Sequence, residues 1–374
     1  MRIQSVRGGN VLDNYVIFHL HSDLSNGTTN IDSVTKYKQY VDRAKQLGMN
    51  ALGFSEHGNI FEWVHKKEAI EKAEMKYIHG IEAYITESIH NKIRDNYHCV
   101  LMARNYDGVL ELNKLVSEAY NRNDGHFYYM PRILYDDLEN TSDNIIISTA
   151  CLGGILHKGS DNIINRFICF LQDNKHRCFL EIQHHNDDTQ KEYNKYLYAL
   201  SQEINVPLIA GTDTHALNDT HLRGRGMLQK SKGVFFSDEE SWDLTFKSYD
   251  ELINAYIKQD ALPIDIVKTA IDNTNVLQEM IEPFKLDRSY KYPKLWENPM
   301  RIFKEKIDKG IKRRGVDQYD NYQSEYIPRI ENEIKTYEHN GAIDFMLLTE
   351  DLLSWCKENE IEVGYGRGSV NGSE

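Results

Sequence analysis

Between Tyr15 and about His215 the chain alternates short apolar runs with longer polar stretches of helical character, and this rhythm restricts the fold more than any other feature. Seven runs predict strands: "YVIFHL" from Tyr15, "ALGFS" from Ala51, "YIHGIEAYI" from Tyr77, "HCVLMA" from His98, "NIIIS" from Asn144, "CFLEIQ" from Cys178 and "PLIAG" from Pro207. "IDSVTKYKQYVDRAKQLG" predicts a helix capped by Asp32 and stopped at Gly48, and "TQKEYNKYLYALSQEIN" predicts another before the last strand. Such alternation points to an α/β fold with parallel strands. Seven strands predict a barrel, and pattern alone leaves a doubly wound sheet open as the alternative.

Polar side chains recur where these strands meet their loops. In "YVIFHLHSDLS", alternate residues share a face of the strand, so His19 and His21 point together while Leu20 points away. "SEHG" sets Glu56 and His57 after the second strand, "HGIEAYI" puts Glu82 in the third and "YHCVLMA" puts His98 at the start of the fourth. "STACLGG" places Cys151 beyond the fifth, and "GTDTH" places Asp213 and His215 after the seventh. Each has an ordinary explanation alone: Glu56 a surface carboxylate or a partner standing behind the ligands, Cys151 a small core residue, Glu82 half of an ion pair. Together they require several coincidences of residue type and strand position. Imidazole, carboxylate and one sulfur suit Zn, Mn or Fe, and there are more ligands than one ion uses, so a cluster of two or three metals is expected. Clusters of this kind hydrolyse phosphate esters.

Composition narrows the partners. Of 374 residues, 40% are hydrophobic and 27% charged, which fits a folded globular protein and neither a disordered nor a membrane one. No apolar run approaches a membrane span and the first residues hold no signal-peptide core, so a cytoplasmic location and no membrane partner are expected. The five cysteines show neither CxxC pairs nor a zinc-finger spacing. A formal net charge of -13 argues against broad gripping of nucleic acid by this chain alone, unless metal ions supply positive charge at the phosphates.

After His215 the rhythm changes. "LRGRGMLQKSKGVFFSDEESWDL" predicts loop, "SYDELINAYIKQ" and "PIDIVKTAIDNTNVLQEMIE" predict helices, and "LDRSYKYPKLWENP" predicts a linker. "EYIPRIENEIKTYEHNGAIDFMLLTEDLLSWCKENEI" is again helical and leads to "EVGYGRGSVNGSE".

"FHLHSDLS", "ALGFSEHGN", "HGIEAY", "STACLGG", "EIQHH" and "GTDTH", in this order and spacing, resemble the PHP (polymerase and histidinol phosphatase) domain in the form that opens bacterial and phage DNA polymerase III alpha subunits. "GRGSVNGS" resembles the Gly-Arg-Gly-Ser element of the C-family polymerase palm. The resemblance implies a distorted (β/α)7 PHP barrel over residues 1–220, an extension and linker over 221–298, and the truncated start of a palm over 299–374. It implies a trinuclear centre held by His19, His21, His57, Glu82, His98, Cys151, Asp213 and His215, with His19, His21, Glu82 and Asp213 as the catalytic core. For the remaining ligand Asp32 is the candidate and Asp23 the runner-up, the helix-cap role of Asp32 competing with this assignment. Glu56 replaces the family's usual Asp before the second-motif histidine. "EIQHH" leaves His184 and His185 without a catalytic role.

The expected activity is a metal-dependent 3'-5' exonuclease using two or three Zn or Mn ions, with Fe a further candidate. Alternatives are a silent metal-binding docking module and a free-standing PHP phosphomonoesterase. Arg367, Gly368 and Ser369 would cradle a triphosphate, with Mg serving a completed palm. The family's palm aspartates do not occur before Glu374, so no polymerisation by this chain is expected. Expected partners are DNA primer-template, the remainder of the polymerase, and the sliding clamp or other replisome subunits. The basic run "RIFKEKIDKGIKRRG" is read as a solvated helix face, with a DNA contact as the minority alternative.

Overall fold

Each of the seven apolar runs becomes extended backbone. In the computed structural model, which describes residues 14–29, 31–90, 93–234, 242–289 and 291–364, the strands are β1 (Ala51–Phe54), β2 (Lys76–Thr86), β3 (Tyr97–Ala103), β4 (Phe127–Tyr128), β5 (Met130–Leu134), β6 (Ile145–Ser148), β7 (Cys178–Ile182) and β8 (Leu208–Ala210). The chain divides into two units, Met1–Phe284 and Lys285–Glu374, and all eight strands lie in the first.

The sheet closes on itself. β1, β2, β3, β6, β7 and β8 pair in that order. Residues 15–20 fill the remaining gap, bridged in parallel to β1 through Ile17 and Leu52, and to the chain beyond β8 through Leu20 and Thr214. The His21 amide donates to the Thr214 carbonyl at 2.8 Å, and the Thr214 amide to the His19 carbonyl at 3.3 Å. The first histidine pair is thereby locked against the element that carries Asp213 and His215.

One strand departs from the expected parallel order. β3 runs antiparallel to both β2 and β6, and no helix intervenes among the described residues between β2 and β3. The short β4–β5 hairpin is not among the seven expected strands. β5 pairs in parallel with the last residues of β2 on one side and with β4 on the other, Pro131 lying ahead of Arg132, the first residue paired to β2.

Alternation along the strands separates an apolar floor from a polar end. On one face β2 carries Ile78 and then Glu82, β6 Ile146 and then Ser148, and β7 Phe179 and then Glu181, whereas antiparallel β3 carries His98 first and then Val100 and Met102. The apolar members cluster with Val16, Phe18 and Ile209, and Leu277 and Ile281 close that end.

The helices of the first unit are α1 (Tyr37–Gln46), α2 (Trp63–Lys72), α3 (Tyr106–Ala119), α4 (Tyr135–Glu139), α5 (Ile155–Lys158), α6 (Asp161–Asp173), α7 (Asp188–Ile204), α8 (Asp219–Ser231), α9 (Tyr249–Gln259) and α10 (Ile264–Met280). α8 lies where the sequence predicted loop. Despite Gly224 and Gly226 it forms because Asn218 caps it, accepting from the amides of Thr220 and His221 at 3.0 and 3.1 Å. Arg225 Nε and Gln229 Nε2 also tie it to the carbonyls of Asp32 and Ile31. α1 begins at Tyr37 with Lys36 as its cap, so Asp32 is not a helix cap. The expected loop residues 235–241 lie outside the described residues.

The second unit holds α11 (Pro299–Arg314), α12 (Ile327–His339) and α13 (Ile343–Glu358) around a small core of Phe303, Ile343 and Leu347. Lys312, Arg313 and Arg314 occupy the last turn of α11 before Gly315, which has φ 67°, and there their charge complements the helix dipole. Phe345, Leu352, Leu353 and Trp355 of α13 are exposed. Among the described residues no helix is long and apolar enough to cross a membrane.

If α10 is the floor of the barrel, Leu277→Ala should cost about 2–5 kcal/mol, the usual range for emptying a fully buried leucine site. Urea unfolding would measure it, and a loss below about 1 kcal/mol would show that α10 does not close the core.

Candidate metal centre

At the polar end of the barrel three groups of side chains converge. His19, His21, Glu82 and Asp213 form one, His21, Asp32, His57 and His215 a second, and His57, Glu82 and His98 a third. Within each, one donor atom per residue lies within 4.8 Å of the others. His21 and Glu82 each belong to two groups, and so does His57.

The distances are those of donors facing one another. His19 Nε2 lies 3.4 Å from Glu82 Oε1 and 3.2 Å from Asp213 Oδ1, and His21 Nε2 lies 3.4 Å from Glu82 Oε2 and 3.3 Å from Asp213 Oδ1. Asp32 Oδ1 is 3.5 Å from His57 Nε2 and 3.2 Å from His215 Nε2. His57 Nδ1 and His98 Nδ1 approach Glu82 at 3.0 and 2.9 Å. The rings of His57 and His215 each stack on His21 with centroids 4.3 Å apart. Cys151 borders the third group, its Sγ 3.3 Å from His98 Nδ1 and 3.7 Å from Glu82 Oε1. The runner-up Asp23 instead pairs with Lys36, away from the histidines.

Several of these atoms are buried without a hydrogen-bond partner: His19 Nε2, His21 Nε2, His57 Nδ1, Asp32 Oδ2, Glu82 Oε2 and Asp213 Oδ1. Orphaned buried polar atoms are rare in folded proteins and expensive. Mixed imidazole nitrogens and carboxylate oxygens are the donor set of divalent transition metals, so the residues fit such ions. Asp213 is further held at φ 44°, a left-handed conformation uncommon for a non-glycine residue.

The charges answer one another. Burial would lower the pKa of His19, but Glu181, Asp213 and Glu82 raise it well above the ordinary histidine value. His57 is raised against burial by Tyr84, Asp32 and Glu82, and His215 by Asp32 and Asp213. His21 goes the other way, to about 4, through burial and the neighbouring His215 and His57. Burial favours the neutral acid in Asp32 and Glu82, yet His215 and His57 hold Asp32, and His98, His57 and His19 hold Glu82, well below the usual carboxylate range. Burial, with Glu82 and Asp213, pushes the Cys151 thiol well up.

The cluster opens into a cleft of about 810 Å³, whose lining includes Asp32, His57, Asp213 and His215 together with Arg94 and Lys158. The PHP domain family model matches residues 18–197, and the model of the bacterial DNA polymerase III alpha NTPase domain matches residues 301–374. Residues 18–197 are a PHP domain. The chain is 28% identical over 394 residues to DNA polymerase III subunit alpha of Aquifex aeolicus (strain VF5), covering 96% of this chain and 33% of that protein. It is 29% identical over 382 residues to DNA polymerase III subunit alpha of Borreliella burgdorferi (strain ATCC 35210 / DSM 4680 / CIP 102532 / B31), covering 96% and 32%. The chain thus spans about a third of the length of the curated relatives it matches. A solved structure from Bifidobacterium adolescentis, provisionally described as a metal-dependent phosphoesterase, is 12% identical and covers 57% of this chain and 96% of its own; its TM-score of 0.36 is too low to bear on fold or chemistry.

Behind the donor atoms of this PHP domain stand Glu181, which sequence reasoning did not single out, and Glu56, which it did. Glu181 Oε1 accepts from His19 Nδ1 at 2.6 Å and from Gln183 Nε2 at 2.9 Å, while Oε2 accepts from Ser148 Oγ at 2.7 Å. The available signal was a glutamate inside the apolar run "CFLEI". Glu56 is no surface carboxylate: it is buried and paired with Lys66 at 2.6 Å. Burial would raise its pKa, but Lys66 and the hydroxyls of Ser22 and Ser25 hold it down. His184 and His185 lie outside the three groups, His185 stacked on Trp242. Arg367, Gly368 and Ser369 lie outside the described residues.

Two measurements follow from this geometry. A Cβ at Gly211 would stand 1.9 Å from Glu181 Oε1. Gly211→Ala should therefore drive Glu181 off His19 and lower unfolding free energy by about 1–3 kcal/mol, read by urea titration; an unchanged midpoint would contradict the contact. The second concerns pH. The raised pKa values of His19, His57 and His215 mean that their ion pairs stabilise the metal-free protein fully below about pH 6.5 and are lost as pH rises through the raised values. In chelator the melting temperature should fall as pH rises above about 6.5. Added divalent metal should remove that fall, because metal ions bind unprotonated imidazole.

Proposed function

We propose that this end of the barrel holds two or three divalent metal ions and hydrolyses phosphodiester bonds at the 3' end of DNA, as a 3'-5' exonuclease serving a replicative polymerase. The observation that carries the reading is the convergence of buried histidine and carboxylate atoms that no protein group satisfies. His19, His21, Asp32, His57, Glu82, His98, Asp213 and His215 would hold the ions, with Cys151 beside His98 as a further ligand. Bound divalent ions supply Lewis acidity toward a phosphoryl oxygen and toward the attacking water.

The chain's own residues supply position and charge. Glu181 turns the Nε2 of His19 toward Glu82 and Asp213. Arg94 and Lys158 add positive charge along the cleft, where it favours a phosphate. The burial of Asp32, Glu82 and Asp213 keeps bulk water from screening them. The likeness of nearly the whole chain to polymerase alpha subunits supports a DNA primer end as substrate, the rest of a polymerase as partner and a cytoplasmic setting. Residues 299–374 are then read as the first part of the palm.

Elemental analysis of the purified chain by mass spectrometry, beside hydrolysis of a 3'-mismatched primer by wild type and His21→Ala, tests this function. Two or three bound transition-metal ions and cleavage lost in the variant are expected. Absence of metal, or equal cleavage by the variant, would overturn it in favour of a silent docking module.

A further inference from the structure

His21 stands at the junction of two of the metal-ligand groups, so which of its ring nitrogens carries the proton decides where its lone pair points. Its Nε2 faces Glu82 and Asp213, and its Nδ1 lies 3.2 Å from Ser25 Oγ. A serine hydroxyl can both donate and accept, so that contact alone leaves the proton unassigned.

The residues behind Ser25 remove the ambiguity. Ser25 Oγ lies 2.6 Å from Glu56 Oε2, and an ionised carboxylate only accepts, so the single hydroxyl proton goes to Glu56. The His57 amide already donates to Ser25 Oγ at 3.1 Å. Glu56 is kept ionised and in place by four donors in all: the Ser22 amide at 2.9 Å, the Ser22 hydroxyl at 2.5 Å, the Ser25 hydroxyl, and Lys66 Nζ at 2.6 Å. With its proton committed, Ser25 presents only lone pairs to His21. The other acceptor near Nδ1, Asp32 Oδ2, is 3.6 Å away, beyond hydrogen-bond range.

We infer that Ser25 is a positioning residue that fixes His21 in its Nδ1–H tautomer, its hydroxyl oriented by the buried Glu56–Lys66 pair, so that the Nε2 lone pair faces Glu82 and Asp213. His19 and His215 have the same polarity by simpler means, through Nδ1 contacts to the Glu181 carboxylate at 2.6 Å and to the Asp213 carbonyl at 2.8 Å. Only His21 depends on a hydroxyl that must first be told which way to point. This explains why a lysine and a glutamate, both almost fully buried, lie behind the cluster without touching the cleft. The tautomer stands without the metal reading, whereas its consequence for zinc affinity rests on the function proposed above.

The test is a two-bond proton–nitrogen correlation spectrum of the imidazoles in the full chain, 15N-labelled and stripped of metal, with His21 assigned by its loss in His21→Ala. Wild type and Ser25→Thr should show the Nδ1–H pattern. Ser25→Ala should show Nε2–H or an average of both forms. Glu56→Gln, which keeps the shape but can donate to Ser25, should show the same change and covers the case in which Ser25→Ala does not fold. Zinc titration of the same samples should give affinity weaker by about 10–100-fold in Ser25→Ala and restored in Ser25→Thr. An Nε2–H form in wild type, or an unchanged Nδ1–H form in both Ser25→Ala and Glu56→Gln, would overturn the inference. Wild type that shows the expected tautomers but binds no zinc would support the inference while refuting the metal centre.

Discussion

Glu82 is the charge on which the rest of this structure depends. A carboxylate with no exposed surface is costly unless charges or dipoles surround it, and here four histidines do so, from three separate parts of the chain. His19 and His21 come from residues 15–21, His57 follows β1, and His98 opens β3. His57 and His98 reach Glu82 from elements next to β2 itself, whereas His19 and His21 lie on the element that closes the ring. The bridges from Ile17 to Leu52 and from Leu20 to Thr214 close the ring and bring the first and last elements to the same carboxylate. Barrel closure and burial of the charged cluster therefore depend on each other.

The direction of β3 shows the same dependence. In the parallel strands β2, β6 and β7 the polar residue follows the apolar one on the inward face. A parallel β3 would have carried His98, its second residue, to the apolar floor. Because β3 runs the other way, the order of residues is reversed and His98 meets Glu82. The sequence already held this signal in "YHCVLMA", where histidine precedes the apolar residues, but reading it requires knowing that the others have the opposite order.

Legibility in the sequence follows the range of the interaction. Alternation along a strand is local, and so the seven core strands and the side chains at their ends could be read directly. Asp32 is a local ambiguity resolved at long range: as a residue before a helix it looks like a cap, yet α1 begins at Tyr37 and the Asp32 carboxylate is held by histidines from three other elements. α8 was hidden for a similar reason, since two glycines oppose a helix and the contacts that favour it reach to residues 31 and 32. Glu181 and Lys66 lie on a strand and a helix that are otherwise unremarkable in pattern. Their partners, His19 and Glu56, are 162 and 10 residues away, and neither pairing leaves a periodic trace.

The five buried carboxylates around this centre fall into two kinds. Glu56 and Glu181 are satisfied by protein donors on both oxygens: Lys66, Ser22 and Ser25 for the one, His19, Gln183 and Ser148 for the other. Asp32, Glu82 and Asp213 each retain an oxygen without a hydrogen-bond partner, and those oxygens face histidine nitrogens 3.0–3.6 Å away. The chain has donors in abundance and places them with care behind the cluster, so their lack in front is a property of the site. A phosphate could not approach three such carboxylates in a protein of net charge -13 without cations between them. The two saturated carboxylates stand behind the histidines, and the three unsaturated ones face them from the cleft side, where a positively charged ligand would satisfy them.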